Sequence, residues 1–165
     1  MKKTLFVLAI LSVSLMNGQA FEGKGDQKLQ IGGNFQDFAS GINVSYDYGI
    51  GQNISVGLSS TYALNVKNNN IFLDADFIDR FDIKLRFNAN LGNVINIDDN
   101  FDVYPGLSLS TKNFGGHLGF RYLFSDGFGV YSEFNLPLAK YDDTPLGAEN
   151  IHNQFTVSLG AVFNL

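Results

Sequence analysis

The stretch that most limits what this chain can become is Phe114 to Leu138, FGGHLGFRYLFSDGFGVYSEFNLPL. On either side of Ser125-Asp126-Gly127 the residues alternate with a period of two. Phe114, Leu118, Phe120, Tyr122 and Phe124 share one face, while Gly115, His117, Gly119 and Arg121 share the other. Beyond the triplet, Phe128, Val130, Phe134, Leu136 and Leu138 oppose Gly129, Tyr131, Glu133 and Asn135. Strict alternation places successive side chains on opposite faces of a strand. The stretch therefore reads as a β-hairpin, closed by a three-residue loop in which Gly127 takes a left-handed bulge conformation. One face is large and aromatic, the other small, polar and nearly balanced in charge. That pattern suits a strand with lipid on one side and a cramped polar lumen on the other.

The same alternation recurs along the chain. Strands are expected at Lys28–Gln36, Gly41–Tyr48, from Ile54 through Leu64, at Phe81–Leu91, from Phe101 through Leu109, twice in the hairpin, and at Gln154–Leu165. Pro105 lies inside the fifth of these, where a central strand disfavours proline, so a bulge or break is expected near it. Eight is an even number, as single-chain bacterial barrels require to return both ends to one side of the membrane. The fold class expected is all-β: an eight-stranded antiparallel up-and-down transmembrane β-barrel. The shorter turns at Gly49–Gln52, Gly92–Asn100 and Ser125–Gly127 would face the periplasm. The longer connections Asn65–Asp79 and Ala139–Asn153 would face outward. A soluble sandwich or lipocalin-like ligand-binding barrel would bury the apolar face instead, but its exposed face is normally rich in Lys and Glu. Here that face is mostly Gly, Ser, Thr and Asn.

Residues 1–20 have the build of a secretory signal peptide. Lys2 and Lys3 precede the apolar run Leu5 to Leu15, and the small residues Gly18 and Ala20 follow. The run is too short for a spanning helix. Cleavage after Ala20 would leave a single barrel domain over 21–165, beginning with a flexible lead-in from Phe21 to Asp26. The chain has no cysteine, so the barrel must find its stability without disulfides, and a closed ring of paired strands provides it. With 11 basic against 16 acidic residues and a net charge of −5, the chain is a poor nucleic-acid binder.

The polar faces of the expected strands bring charges into the lumen: Lys28, Asp47, Asp82, Lys84, Arg86, Arg121 and Glu133, with His117 among them. Unpaired charge in such a place is costly, so these groups should pair into a salt-bridged plug. An eight-stranded barrel is just wide enough for its own side chains to fill. If cross-strand partners in the hairpin sum to 252, Gly119 faces Glu133 and Arg121 faces Tyr131. Glu133 should then pair with Arg121, its diagonal neighbour, or with a cation from across the lumen such as Arg86.

No residue pattern points to catalysis, a cofactor or a bound metal. A hydrolase or acyltransferase would need Ser, His and a carboxylate to converge. Of the two histidines, His117 lies at mid-strand beside glycines and His152 in a loop near Asp143 and Glu149. The acidic groups Asp74, Asp76, Asp79 and Asp82, or Asp98, Asp99 and Asp102, lack the glycine and terminal Glu of a calcium loop and read as solvated acidic segments.

The alternating strands, the SDG and GIGQ turns and the terminal strand FTVSLGAVFNL together resemble the small eight-stranded outer-membrane barrels of Gram-negative bacteria, of OmpA and OmpX type. The resemblance spans the leader and essentially all of the rest. It implies a monomer in the cell outer membrane, in contact with outer-membrane lipid and lipopolysaccharide. It also implies an assembly signal for the outer-membrane assembly machinery in the last strand, here with Phe163 two residues before the end and Leu165 in last place. The function expected is non-enzymatic, in envelope structure or in surface binding through the outward loops. The alternative is a small lipid-modifying enzyme.

Overall fold

The computed structural model describes residues 19–66, 75–141 and 151–165. In chain order the elements are β1 (Gln27–Phe35), β2 (Ala39–Gly49), β3 (Ile54–Val66), a single helical turn α1 (Phe77–Arg80), β4 (Phe81–Ala89) and a second turn α2 (Gly92–Ile95). Then come β5 (Phe101–Ser110), β6 (Asn113–Ser125), β7 (Phe128–Lys140) and β8 (Thr156–Asn164). The eight strands pair with their sequence neighbours, all antiparallel, and β8 returns to β1 to close the barrel. Closure leaves no edge strand, so the backbone hydrogen bonds of the ladder are satisfied around the ring. Among the described residues no helix is long and apolar enough to cross a membrane.

Side chains sort by parity as the alternation requires. Leu85, Leu107 and Phe124 point outward and are 58, 48 and 62 % exposed, whereas Gln30, Asn88 and Asp102 are fully buried inside. The interior is polar and the outside is apolar, the reverse of a soluble barrel. Outward rings form chains around the wall: Tyr122, Phe124, Phe128 and Phe163 follow one another at centroid distances of 5.5–6.3 Å. The fold is that of a transmembrane β-barrel, and the lipocalin-like alternative fails on this inversion.

The 252 register is observed between β6 and β7. Gly119 lies opposite Glu133 and Arg121 opposite Tyr131. At the turn the expected geometry differs. Positive φ among the described glycines occurs at Gly23 and Gly25, not at Gly127. The connection is the pair Asp126-Gly127, and the ladder shifts between Leu123 and Ser125, so the extra residue is Phe124. Two aromatic rings beside the turn are better accommodated when the bulge lies in the strand, with Phe124 and Phe128 6.3 Å apart outside the wall. Pro105 sits within an unbroken β5, in register with Leu118. What stops beside it is the β4–β5 ladder, which covers Lys84–Asn88 against Gly106–Ser110. A proline has no N–H to extend it.

Two other segments depart from expectation. Gly92–Asn100 is not a plain turn but opens with α2, and β4 ends at Ala89. The lead-in is also ordered. Gly23 and Gly25, at φ +95° and +93°, let the chain double back, and Gly25 N–H donates to Gly49 O while Gly49 N–H donates to Asp26 O. Residues with a Cβ rarely adopt such φ values. The Gly23-Lys24-Gly25 spacing was the available signal for this hook.

Candidate functional site: the charged lumen

The barrel's inside is the candidate site, and its strands carry charge into it in layers. The end at which β1 starts and β8 finishes is called here the near end. Its floor is apolar: Ala20, Leu123, Tyr131 and Val162 pack together. Just above, Arg121 on β6 reaches Asp102, its cross-strand partner on β5, through Nη2 at 2.7 Å, and donates to Asn90 Oδ1 at the same distance. The guanidinium lies between two rings, Tyr104 with its centroid at 4.8 Å and Phe21 at 5.8 Å. Asn93 holds the Phe21 carbonyl from α2 at 2.9 Å, so the lead-in stoppers this end. Beside it Lys28 Nζ pairs with Asp26 at 2.5 Å and donates to Asn164 Oδ1 at 2.8 Å.

The middle layer spans the lumen. Arg86 projects from β4 and forks onto Glu133 of β7, with Nη2–Oε2 at 2.7 Å and Nη1–Oε1 at 3.3 Å. Its Nε lies 3.2 Å from Asp47 of β2, near enough to pair though not aligned as a hydrogen bond. One guanidinium thus ties three strands across the lumen, which only a planar fork with donors on several edges can do. Tyr104 fills the space between the two arginines and its hydroxyl accepts from Gln30 Nε2 at 3.0 Å. His117 Nε2 lies 2.7 Å from Asn88 Oδ1. Glycine makes this density possible. A Cβ on Gly119 would fall within the Tyr104 ring, and one on Gly106 would meet the His117 imidazole.

Toward the far end Asp82 accepts from Thr111 Oγ1 at 3.0 Å, with Lys84 Nζ 3.7 Å from its other oxygen. Asn43 donates to Ser59 and Thr61, and Asn34 to Ser158. At the far mouth Ile151 packs on Ala39 and Ala63, with Phe38, Val66 and Ala75 against them. Among the described residues the lumen is lined by buried, mutually paired side chains, with apolar packing at each end.

Of the residues the alternation singles out, Lys28, Asp47, Asp82, Arg86, His117, Arg121 and Glu133 are buried and Lys84 is partly so, all on the inner face. The structure brings Glu133 to Arg86 rather than to Arg121. The diagonal neighbour is bound elsewhere because Asp102 lies directly across from it. Two anions escaped the sequence reading. Asp102 shares the parity of Tyr104 and Ser108 within the expected fifth strand, but it reads as solvated when grouped with Asp98 and Asp99. Asp26 precedes the first strand and left no periodic signal. Of the acidic groups read as solvated segments, Asp82 and Asp102 turn inward as ion-pair partners. Asp74, Asp143 and Glu149 lie outside the described residues, and among those described no group of three or more His, Asp or Glu could hold a metal.

A family model matches residues 11–165, nearly the whole chain. The chain belongs to DUF6646, a family of unknown function. No curated protein matches it. Among solved structures, this DUF6646 barrel is similar to one reported under "De novo design of transmembrane beta-barrels", with a TM-score of 0.58, 9 % identity, and coverage of 86 % of this chain and 97 % of that one. It is also similar to the N-terminal β-barrel domain of Pseudomonas aeruginosa OprF, at TM-score 0.54 and 12 % identity, covering 87 % and 99 %. At such identities the likeness carries the fold alone.

Proposed function

We propose that this DUF6646 protein is a non-enzymatic outer-membrane barrel of OmpA and OmpX type, exported by a cleaved leader, whose body supports the envelope and whose far-end loops meet partners outside. One observation carries the reading: the charged lumen is consumed by its own pairing, so the chemistry offered to the surroundings lies on the lipid-facing wall and at the ends. Arg86 spends all three guanidinium nitrogens on Glu133 and Asp47. Such a layer supports the reading of a lumen plugged by ion pairs. In this reading the near end is periplasmic, the aromatic chains sit among lipid and lipopolysaccharide acyl groups, and β8 carries the signal read by the assembly machinery. The protein acts as a monomer.

The test is migration of boiled against unboiled protein in detergent gel electrophoresis, together with conductance across a planar bilayer. A faster unboiled band with no steady open-channel current supports the reading. Full solubility without detergent would sink the membrane placement, and a stable ohmic conductance would sink the filled lumen.

A further inference from the structure

Among the described residues, Ile151, His152 and Asn153 enter the far mouth from the connection before β8. Ile151 is fully buried against Ala39 of β2 and Ala63 of β3. His152 and Asn153 are buried beside it, and Asn113 Nδ2 donates to both, to His152 O at 3.0 Å and to Asn153 Oδ1 at 2.8 Å. The His152 imidazole lies beside the Arg80 backbone, at the end of α1, and its Nε2 is buried without a hydrogen-bond partner.

We propose that Ile151–Asn153 is an acid-releasable cap on the far mouth, with His152 as the titrating group. The geometry sets the direction. In place, the ring is enclosed, and the charged groups facing it are Asp82 and Lys84 from β4 and Lys112 from the β5–β6 connection. Burial pushes the ring below its ordinary value of 6.5, Asp82 opposes this, and the two lysines reinforce it. Lifted into water, the ring regains its ordinary value. Above that value both states hold a neutral ring, and capping does not depend on pH. Below it the released state binds the proton more tightly, so release gains up to about tenfold per pH unit until the capped ring also protonates. Release would open a vestibule carrying Asp82 and Lys84 while the Arg86 layer beneath stays shut. The inference does not depend on which membrane holds the barrel.

The chain has no cysteine, so a single thiol can report the cap. Ala63→Cys places one under Ile151 and Asn65→Cys places one on the exposed rim. In folded protein in detergent micelles, the ratio of their reaction rates with a charged methanethiosulfonate corrects for thiol ionisation. The ratio should be flat above pH 7 and rise as pH falls below 6.5, and His152→Gln should abolish the rise. Ala39→Cys offers the same view from the neighbouring strand if Ala63→Cys fails to fold. A ratio flat to pH 4.5 overturns the proposal. So does a rise that survives His152→Gln.

Discussion

Arg86 and Tyr104 are where single side chains matter most. Arg86 is 4 % exposed and Glu133 3 %, and together they bridge β4 to β7. Removing one partner of a buried pair strands the other without compensation. Glu133→Leu should therefore destabilise the barrel by about 3–5 kcal/mol, read as the unfolding free energy in urea with lipid vesicles. A double-mutant cycle should show a larger coupling between Glu133 and Arg86 than between Glu133 and Arg121, because Arg121 pairs with Asp102. Equal couplings would contradict the observed pairing. Gly119 is the second sensitive position. Its missing side chain is the space the Tyr104 ring occupies, so Gly119→Ala forces that fully buried ring to move. A loss of about 1–3 kcal/mol is expected from such overpacking. A neutral substitution would mean that Tyr104 has room elsewhere.

β6 and β7, at the scale of elements, show how far alternation alone reaches. Their faces and register follow from the period of two, because a one-residue slip would turn every Phe into the lumen and every charge into lipid. Leu118 lies near the middle of β6 on the outer face. Leu118→Arg should cost about 2–4 kcal/mol if that position is at the bilayer midplane, measured by the same unfolding experiment. A change close to zero would place the residue outside the hydrocarbon region. The lead-in was illegible for the opposite reason. Its order comes from two glycines and a hook onto the end of β2, and no periodicity accompanies such a segment. Gly23→Ala must adopt φ near +95°, so a loss on the order of 1–2 kcal/mol is expected, with faster proteolytic trimming of the near end. Unchanged trimming would show that the hook holds without that conformation.

Considered whole, the molecule is a ring of strands around a polar filling, and its class was written in the sequence. The alternation of apolar and small polar residues in every strand, with an even strand count, admits little else once the polar face is seen to be poor in Lys and Glu. That the charges Lys28, Asp47, Asp82, Lys84, Arg86, Arg121 and Glu133 and the imidazole of His117 fall on the inner parity was equally legible, since parity is a local property. Who pairs with whom was not. Partners across a lumen belong to strands far apart in the chain, and their meeting depends on strand tilt, shear and the room left by Gly57, Gly106 and Gly119. So Glu133 was open between two arginines until the barrel closed, and Asp102, adjacent to Arg121 on the next strand, took the nearer one. The caps at both ends are tertiary for the same reason. A burial that joins Phe21 to Arg121, or Ile151 to Ala39, is made by closure of the ring and has no counterpart in any local run of residues.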